Sequence, residues 1–255
     1  MIRFVGAGPG AADLITVRGM ELLKKADVII YTGSLVSTEL LNYASEKAGI
    51  YNSAYMTLEE VMRVMLEAAA ADEEVVRLHT GEPSLYGAVR EQMDILDAYQ
   101  IPYESCPGVS ACFGAAAGLN LEFTLPGVSQ TLIITRLEGK TPVPEKEKMR
   151  RLASHGASMA VYLSAGMLGK LTEELLEGGY APETPAALVY KATWPEEICC
   201  RCTVGSLEET GRLHRIEKTA VVLVGDVLDP KDSYDRSRLY HPEFSTEFRE
   251  KKKEV

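Results

Sequence analysis

Three short segments of this sequence combine small residues with groups able to hold a ligand. The first, Gly6-Ala7-Gly8-Pro9-Gly10-Ala11, fits G-x-G-x-x-G/A, the spacing that brings a backbone turn close to a pyrophosphate. The second, Thr80-Gly81-Glu82-Pro83, offers a hydroxyl, a residue that permits close backbone approach, a carboxylate, and a proline suited to starting a helix. The third, Pro107-Gly108-Val109-Ser110-Ala111, supplies a bend, a small hydroxyl and a helix N-terminus. Cys199-Cys200-x-Cys202 lacks the C-x-x-C spacing of a zinc knuckle, and the histidine that follows it, His214, lies twelve residues on. In an extended strand Cys200 and Cys202 share a face and Cys199 points away, so these thiols are expected to pack as small hydrophobes. His79, His155, His214 and His241 are scattered, and no metal site is expected.

The glycine-rich turn has competing readings. A dinucleotide fingerprint needs an acidic residue at the end of the second strand to hold the ribose hydroxyls. Here that strand ends Tyr31-Thr32-Gly33-Ser34, with no carboxylate, and Pro9 removes a backbone N–H that a pyrophosphate could use. A nicotinamide or flavin turn, a purely structural tight turn and the rim of another ligand site all stay open at this point.

The elements around these segments alternate. Ile2 to Val5, Val28 to Tyr31, Val75 to Leu78 and Pro102 to Ser105 read as strands. Helices are expected from about Thr16 to Lys25, from the Thr57-Leu-Glu-Glu60 capping box to about Ala71, from the Gly87 region through Tyr99, and from Pro107 to near Gly118. Such β/α alternation predicts a mainly parallel sheet covered by helices, whose ligands sit at the carboxyl ends of the strands. Asn120 to Gln130 carries Pro126-Gly127 and no helical period, which marks a domain boundary. Beyond it, strands are expected at 131–135, 158–163, 186–190, 198–204 and 220–224, helices at about 165–177 and 206–212, and a loop over 137–147. The reading is two α/β domains, residues 1–120 and 130–230, with a charged tail over 231–255 that is solvated or docks a partner.

Composition narrows the function. A chain of 255 residues that is 46% hydrophobic and 25% charged can bury a core in each of two domains. A net charge of −10 argues against a nucleic-acid partner, which would need a basic face. It leaves room for an anionic small molecule held by a local cluster of cations. An odd cysteine count, no export signal at the N-terminus and no apolar run long enough to span a bilayer point to a cytoplasmic protein.

Taken together, Val5-Gly-Ala-Gly-Pro-Gly10 with Leu14-Ile-Thr16, Ala26-Asp-Val-Ile-Ile-Tyr31, Gly81-Glu-Pro-Ser-Leu-Tyr-Gly87, Pro107-Gly-Val-Ser-Ala111 and Val222-Leu-Val-Gly225 resemble the tetrapyrrole methyltransferase family over about residues 1–230. Within it, Tyr31-Thr-Gly-Ser-Leu-Val36, Leu125-Pro-Gly-Val-Ser-Gln-Thr131 and Tyr190-Lys-Ala-Thr-Trp-Pro-Glu196 are similar to the precorrin-4 C(11)-methyltransferases of cobalamin synthesis. The resemblance implies S-adenosylmethionine bound in the cleft between two α/β domains, in a homodimer. By motif position it implies that Pro9, Thr80, Gly81, Glu82, Leu85, Ser110, Ala111, Leu163, Ala192 and Ala220 line the cofactor site. The family's usual Asp in the Gly-Asp-Pro loop is Glu82 here, one methylene longer, which implies shifted contacts rather than lost binding. Members that methylate uroporphyrinogen carry an Asp after the second strand; Thr32 stands there instead and speaks against that substrate.

Methyl transfer from a sulfonium to an electron-rich ring carbon asks the protein mainly for alignment and exclusion of water, so no triad or metal cluster is required. No catalytic base is identifiable; Glu82 is the weak candidate. A polycarboxylate tetrapyrrole needs cations around it, and Arg18, Arg136 and Lys191 are the expected substrate contacts. The readings to be excluded are methylation of a different precorrin carbon, a nucleotide-dependent oxidoreductase and a non-catalytic metabolite binder.

Overall fold

The computed structural model describes residues 1–230, 234–237, 241 and 244–250. The chain forms two compact units. The first comprises residues 1–119 with 189–199 and 219–221; the second comprises 120–188, 200–218 and 222–255.

In the first unit, β1 (Ile2–Gly6), α1 (Val17–Lys25), β2 (Val28–Tyr31), β3 (Gly49–Asn52), α2 (Leu58–Ala70), β4 (Val75–His79), α3 (Arg90–Ala98), β5 (Tyr103–Cys106) and α4 (Ala111–Leu119) follow in order. The sheet runs β3-β2-β4-β1-β5 and every pairing is parallel. Two local signals work as the sequence suggests. Thr16 accepts a hydrogen bond from the Gly19 N–H and starts α1. Thr57 and Glu60 close a reciprocal capping box on α2, through the Thr57 N–H to Glu60 Oε2 at 2.7 Å and the Glu60 N–H to Thr57 Oγ1 at 3.3 Å.

Alternation along the strands sorts the core into two layers. Val5, Ile29, Val76 and Leu78 pack with Leu23 of α1 and Leu40. Ile2, Phe4, Val28, Ile30 and Val75 pack on the opposite face with Met65 of α2 and Leu96 of α3. Period two then places Arg77 and His79 on the Val75 face, toward the carboxyl end of β4, where the apolar layer gives out. Both are buried.

The second unit holds β6 (Leu132–Arg136), α5 (Met149–Ala153), β7 (Ser158–Tyr162), α6 (Leu168–Glu177), β8 (Pro185–Tyr190), β9 (Ile198–Thr203), α7 (Leu207–His214) and β10 (Ala220–Val224), except that residues 189–190, 198–199 and 220–221 of β8, β9 and β10 count with the first. Its sheet runs β6-β7-β10-β8-β9 and is mixed: β6 and β7 pair parallel, β7 and β10 antiparallel. Cys200 is buried and Cys199 exposed on β9; burial pushes the Cys202 thiol up to about 11. Among the described residues no three His, Cys, Asp or Glu side chains gather as metal ligands, and no helix is long and apolar enough to cross a membrane.

The α/β class stands, with two five-stranded sheets, while several boundaries move. The helix expected after Gly87 begins only at Arg90, because Tyr86 and Ala88 adopt φ of 57° and 48°, a left-handed backbone incompatible with a helical turn. Edge strand β3 and short helix α5 were not expected. The charged tail falls partly outside the described residues; within it, the Asp235 N–H donates to the Pro126 carbonyl.

Candidate functional site

The turns that leave β1, β4 and β5 meet at one end of the parallel sheet of the first unit. They touch backbone to backbone. A Cβ on Gly6 would lie 2.6 Å from the Gly108 Cα and 2.7 Å from the Gly81 carbonyl oxygen; one on Gly108 would lie 2.2 Å from that same oxygen. Gly8 and Gly81 form an antiparallel bridge, with the Gly81 N–H donating to the Gly8 carbonyl at 2.9 Å and the reverse bond at 3.3 Å. Gly81 does this at φ 60°, a conformation that glycine adopts without a steric penalty. On its far side an added Cβ would sit 3.6 Å from Ser110 Cα and from the Ala111 N atom, so the 80–85 and 110–111 segments adjoin.

Glu82 ties two of these turns together. Its Oε1 accepts from the Ser84 N–H at 3.0 Å and its Oε2 from the Gly108 N–H at 2.8 Å. Burial acts to raise the Glu82 carboxyl, but the Ser84 and Gly108 N–H groups outweigh it and hold it below the ordinary glutamate value. With both oxygens held by backbone, Glu82 serves better as an ionised brace than as a proton acceptor. The extra methylene relative to Asp is used to span from one turn to the next. Because the folded value is lowered, the brace is at full strength above the unfolded glutamate pKa and is lost as pH falls through the folded one. Glu82→Gln is therefore expected to lower stability by about 1–2 kcal/mol near pH 7, since water partly replaces the lost bonds at this half-exposed carboxylate, and by less in acid. Urea denaturation at several pH values checks this.

The glycine-rich turn packs against residues 192–194. The Ala11 N–H donates to Thr193 Oγ1 at 3.0 Å, and the Trp194 indole N–H donates to the Pro9 carbonyl at 3.2 Å. A Cβ on Gly10 would fall 2.1 Å from Trp194 Cδ1 and 2.7 Å from the Ala192 carbonyl oxygen, while Gly114 of α4 packs under the Pro9 ring. This geometry disfavours the dinucleotide reading. That motif needs a helix N-terminus at the turn, yet α1 starts only at Val17, after a separate 3-10 turn over Ala12–Leu14. Trp194 also covers the Gly10 position itself.

Of the expected cofactor residues, Pro9, Thr80, Gly81, Glu82, Leu85, Ser110, Ala111, Ala192 and Ala220 belong to the first unit, and Leu163 belongs to the second. Pro9, Ser110 and Ala192 are buried. Leu163 is exposed at the end of β7 with φ 52°. The three cations expected for substrate differ in their surroundings. Arg136 spans its own loop, donating to the Leu137, Thr141 and Pro142 carbonyls. Lys191 lies over the Trp194 ring at 5.2 Å and 3.6 Å from the Glu196 carboxylate. Arg18 is exposed on α1.

Sequence reasoning passed over Arg77. Its guanidinium donates through Nε to Gln92 Oε1 at 3.2 Å and through Nη1 to the Ile30 carbonyl at 3.1 Å and Thr32 Oγ1 at 3.5 Å. Arg77 and His79 line a cavity of about 340 Å³ together with Thr32, Ser53, Met56 and Tyr86. Burial, then the charge of Arg77, holds the His79 imidazole down to about 3, so it is neutral at physiological pH.

A family model for the tetrapyrrole (corrin/porphyrin) methylases matches residues 1–208. The cobalt-precorrin-4 C(11)-methyltransferase of Methanocaldococcus jannaschii is 52% identical over 249 residues, covering 98% of this chain and 96% of the relative. The crystal structure of the cobalt precorrin-4 methyltransferase CbiF superposes with a TM-score of 0.88 at 44% identity, over 90% of this chain and 96% of that one. A uroporphyrin-III C-methyltransferase from Thermus thermophilus, complexed with S-adenyl homocysteine, gives a TM-score of 0.73 at 26% identity, over 90% and 93% of the two chains.

Proposed function

This chain belongs to the tetrapyrrole (corrin/porphyrin) methylases, and we propose that it transfers a methyl group from S-adenosylmethionine to C11 of precorrin-4 in its cobalt-containing form. The carrying observation is the 52% identity, over nearly the full length of both chains, to a protein bearing that name.

The residues at the meeting point of the three turns fit the donor. They are small or apolar, they present backbone groups, and their one carboxylate is already engaged by Ser84 and Gly108. In this reading Pro9, Thr80, Gly81, Leu85, Ser110, Ala111, Ala192 and Ala220 would hold the donor, and Glu82 would keep the turns in register. When bound, S-adenosylmethionine supplies an electrophilic methyl on a sulfonium whose departing thioether is neutral. The chain's task is then to fix two reactants in line and keep water out, a contribution of orientation rather than of acid–base chemistry. A neutral His79 and a braced, ionised Glu82 suit a site that moves no proton at these two positions.

Cytoplasmic location, a homodimeric state and indifference to nucleic acid are parts of the same proposal. The family resemblance supports the dimer, and the net charge of −10 argues against a nucleic-acid partner. The test is incubation with carbon-13 methyl-labelled S-adenosylmethionine and either cobalt-precorrin-4 or its metal-free form, with the new methyl located by NMR. Label at C11, entering the cobalt form faster, is expected. Label at another ring carbon, or stabilisation by a nicotinamide nucleotide with none by S-adenosylhomocysteine, would overturn it.

A further inference from the structure

The cavity beside Arg77 holds a cation that the fold itself does not neutralise. Arg77 is 6% exposed, yet among the described residues no carboxylate lies within 4 Å of its guanidinium. The carboxylate that lines the same cavity, Glu91, is exposed and makes no ion pair with it. The three acceptors that Arg77 does find, Gln92 Oε1, the Ile30 carbonyl and Thr32 Oγ1, are all uncharged and engage only Nε and Nη1. Nη2 has no protein acceptor among the described residues. Burial lowers the guanidinium to about 10, which still leaves it charged at neutral pH.

A second unmet polar atom stands on the same wall. His79 Nε2 is fully buried and has no hydrogen-bond partner. Buried charges and donors are normally paired, because an uncompensated one costs stability. Arg77 has neutral acceptors but no counter-charge, and His79 Nε2 has no partner at all; a cation left without a counter-charge beside a cavity describes a site built for an anion that arrives. The rim is unusual too. Tyr86 and Ala88 both adopt positive φ, and Gln92, which receives Arg77, donates onward to the Ala88 carbonyl at 2.9 Å. The position of the guanidinium is thereby fixed through the same loop that carries Thr80 to Leu85.

We propose that this cavity is a carboxylate-binding subsite in which Arg77 receives one acidic side chain of the tetrapyrrole substrate. The proposal rests on the methyltransferase reading for the identity of the substrate, and on the cavity alone for the chemistry of the ligand. A planar guanidinium with one amino group free matches a carboxylate by charge and by shape. Thr32 makes the site possible. Its hydroxyl lies 3.5 Å from Nη1 and carries no charge, so nothing at that position competes for the cation.

Two variants test it by different routes. Arg77→Gln removes the charge, while Thr32→Asp leaves Arg77 in place and gives it an internal carboxylate. S-adenosylhomocysteine affinity, measured by calorimetry, is expected to stay within about twofold of wild type in both. The KM for cobalt-precorrin-4 should rise at least tenfold with kcat little changed, as expected for loss of a charge-assisted contact to bound substrate. Sodium propionate, a surrogate for one substrate side chain, should raise the wild-type melting temperature at constant ionic strength and leave both variants unmoved. Should Arg77→Gln fail to fold, Thr32→Asp decides the matter.

An unchanged KM in a folded variant, or equal propionate shifts in all three proteins, overturns the subsite and leaves the methyltransferase reading intact. Absence of S-adenosylhomocysteine binding in wild type overturns the methyltransferase reading instead. In that case the propionate comparison alone judges the subsite.

Discussion

Gly6→Ala is expected to lower S-adenosylhomocysteine affinity at least 100-fold and to destabilise the protein by about 3 kcal/mol, the upper end of what a single overpacked methyl costs. The added carbon would meet the Gly108 Cα and N at 2.6 Å and the Gly81 carbonyl oxygen at 2.7 Å. All three are backbone atoms of neighbouring turns, so no rotamer change can relieve the clash. Either β1 slides along β4 and β5, or the turns separate, and both break the Gly8–Gly81 bridge and the Glu82–Gly108 hydrogen bond. Gly139→Ala is the control. Its nearest neighbour is the Met167 methyl at 3.4 Å, on a flexible thioether, and its effect should stay within about 0.5 kcal/mol. Urea denaturation and calorimetry on the two variants give the comparison. Full affinity in Gly6→Ala would mean that the three turns do not form the donor site.

The legible part of this protein was local or periodic. The capping box at Thr57 needs only residues three apart, and it forms as read. The β/α alternation of elements announces a parallel sheet, and the near-continuous apolar runs of β1, β2 and β4 agree, because strands buried on both faces have little use for polar positions. Strand β3 escaped notice for the converse reason: it is an edge of four residues with Ile50 and Tyr51 exposed, so it carries no burial pattern. Within the site, the three glycine-rich segments were visible as types, and their placement at strand ends followed from β/α alternation. Their mutual contacts were not visible. The Gly6–Gly108 approach and the Glu82–Gly108 bond depend on β1 lying between β4 and β5, an order that one sequence does not state. Arg77 did leave a signal. It is the charged residue in Val75-Val-Arg-Leu-His79, a strand buried at every position. A cation there has either a partner or a purpose, and the acceptors contributed by β2 and α3 emerge only from the fold.

Trp194→Ala carries the second large expectation, and it concerns a contact spanning 185 residues of sequence. The indole closes over Gly10, donates to the Pro9 carbonyl, and lies under the Lys191 ammonium at 5.2 Å. Removing it opens a hole against the first turn and takes away the cation's aromatic support. The loss should be about 2–3 kcal/mol, below the range for a fully buried tryptophan because this one is partly exposed. S-adenosylhomocysteine affinity should fall at least tenfold, since Pro9 loses the group that fixes its carbonyl. Trp194→Phe separates the two contributions: packing is largely kept and the hydrogen bond is lost, which predicts about 1 kcal/mol and a smaller loss of affinity. Trp194 is the single tryptophan of the chain, so the wild-type protein reports on itself. Donor product binding against the Pro9 turn must perturb the indole it hydrogen-bonds, and emission should shift saturably, with the dissociation constant that calorimetry gives. Calorimetric binding with a silent indole would place the donor away from this turn.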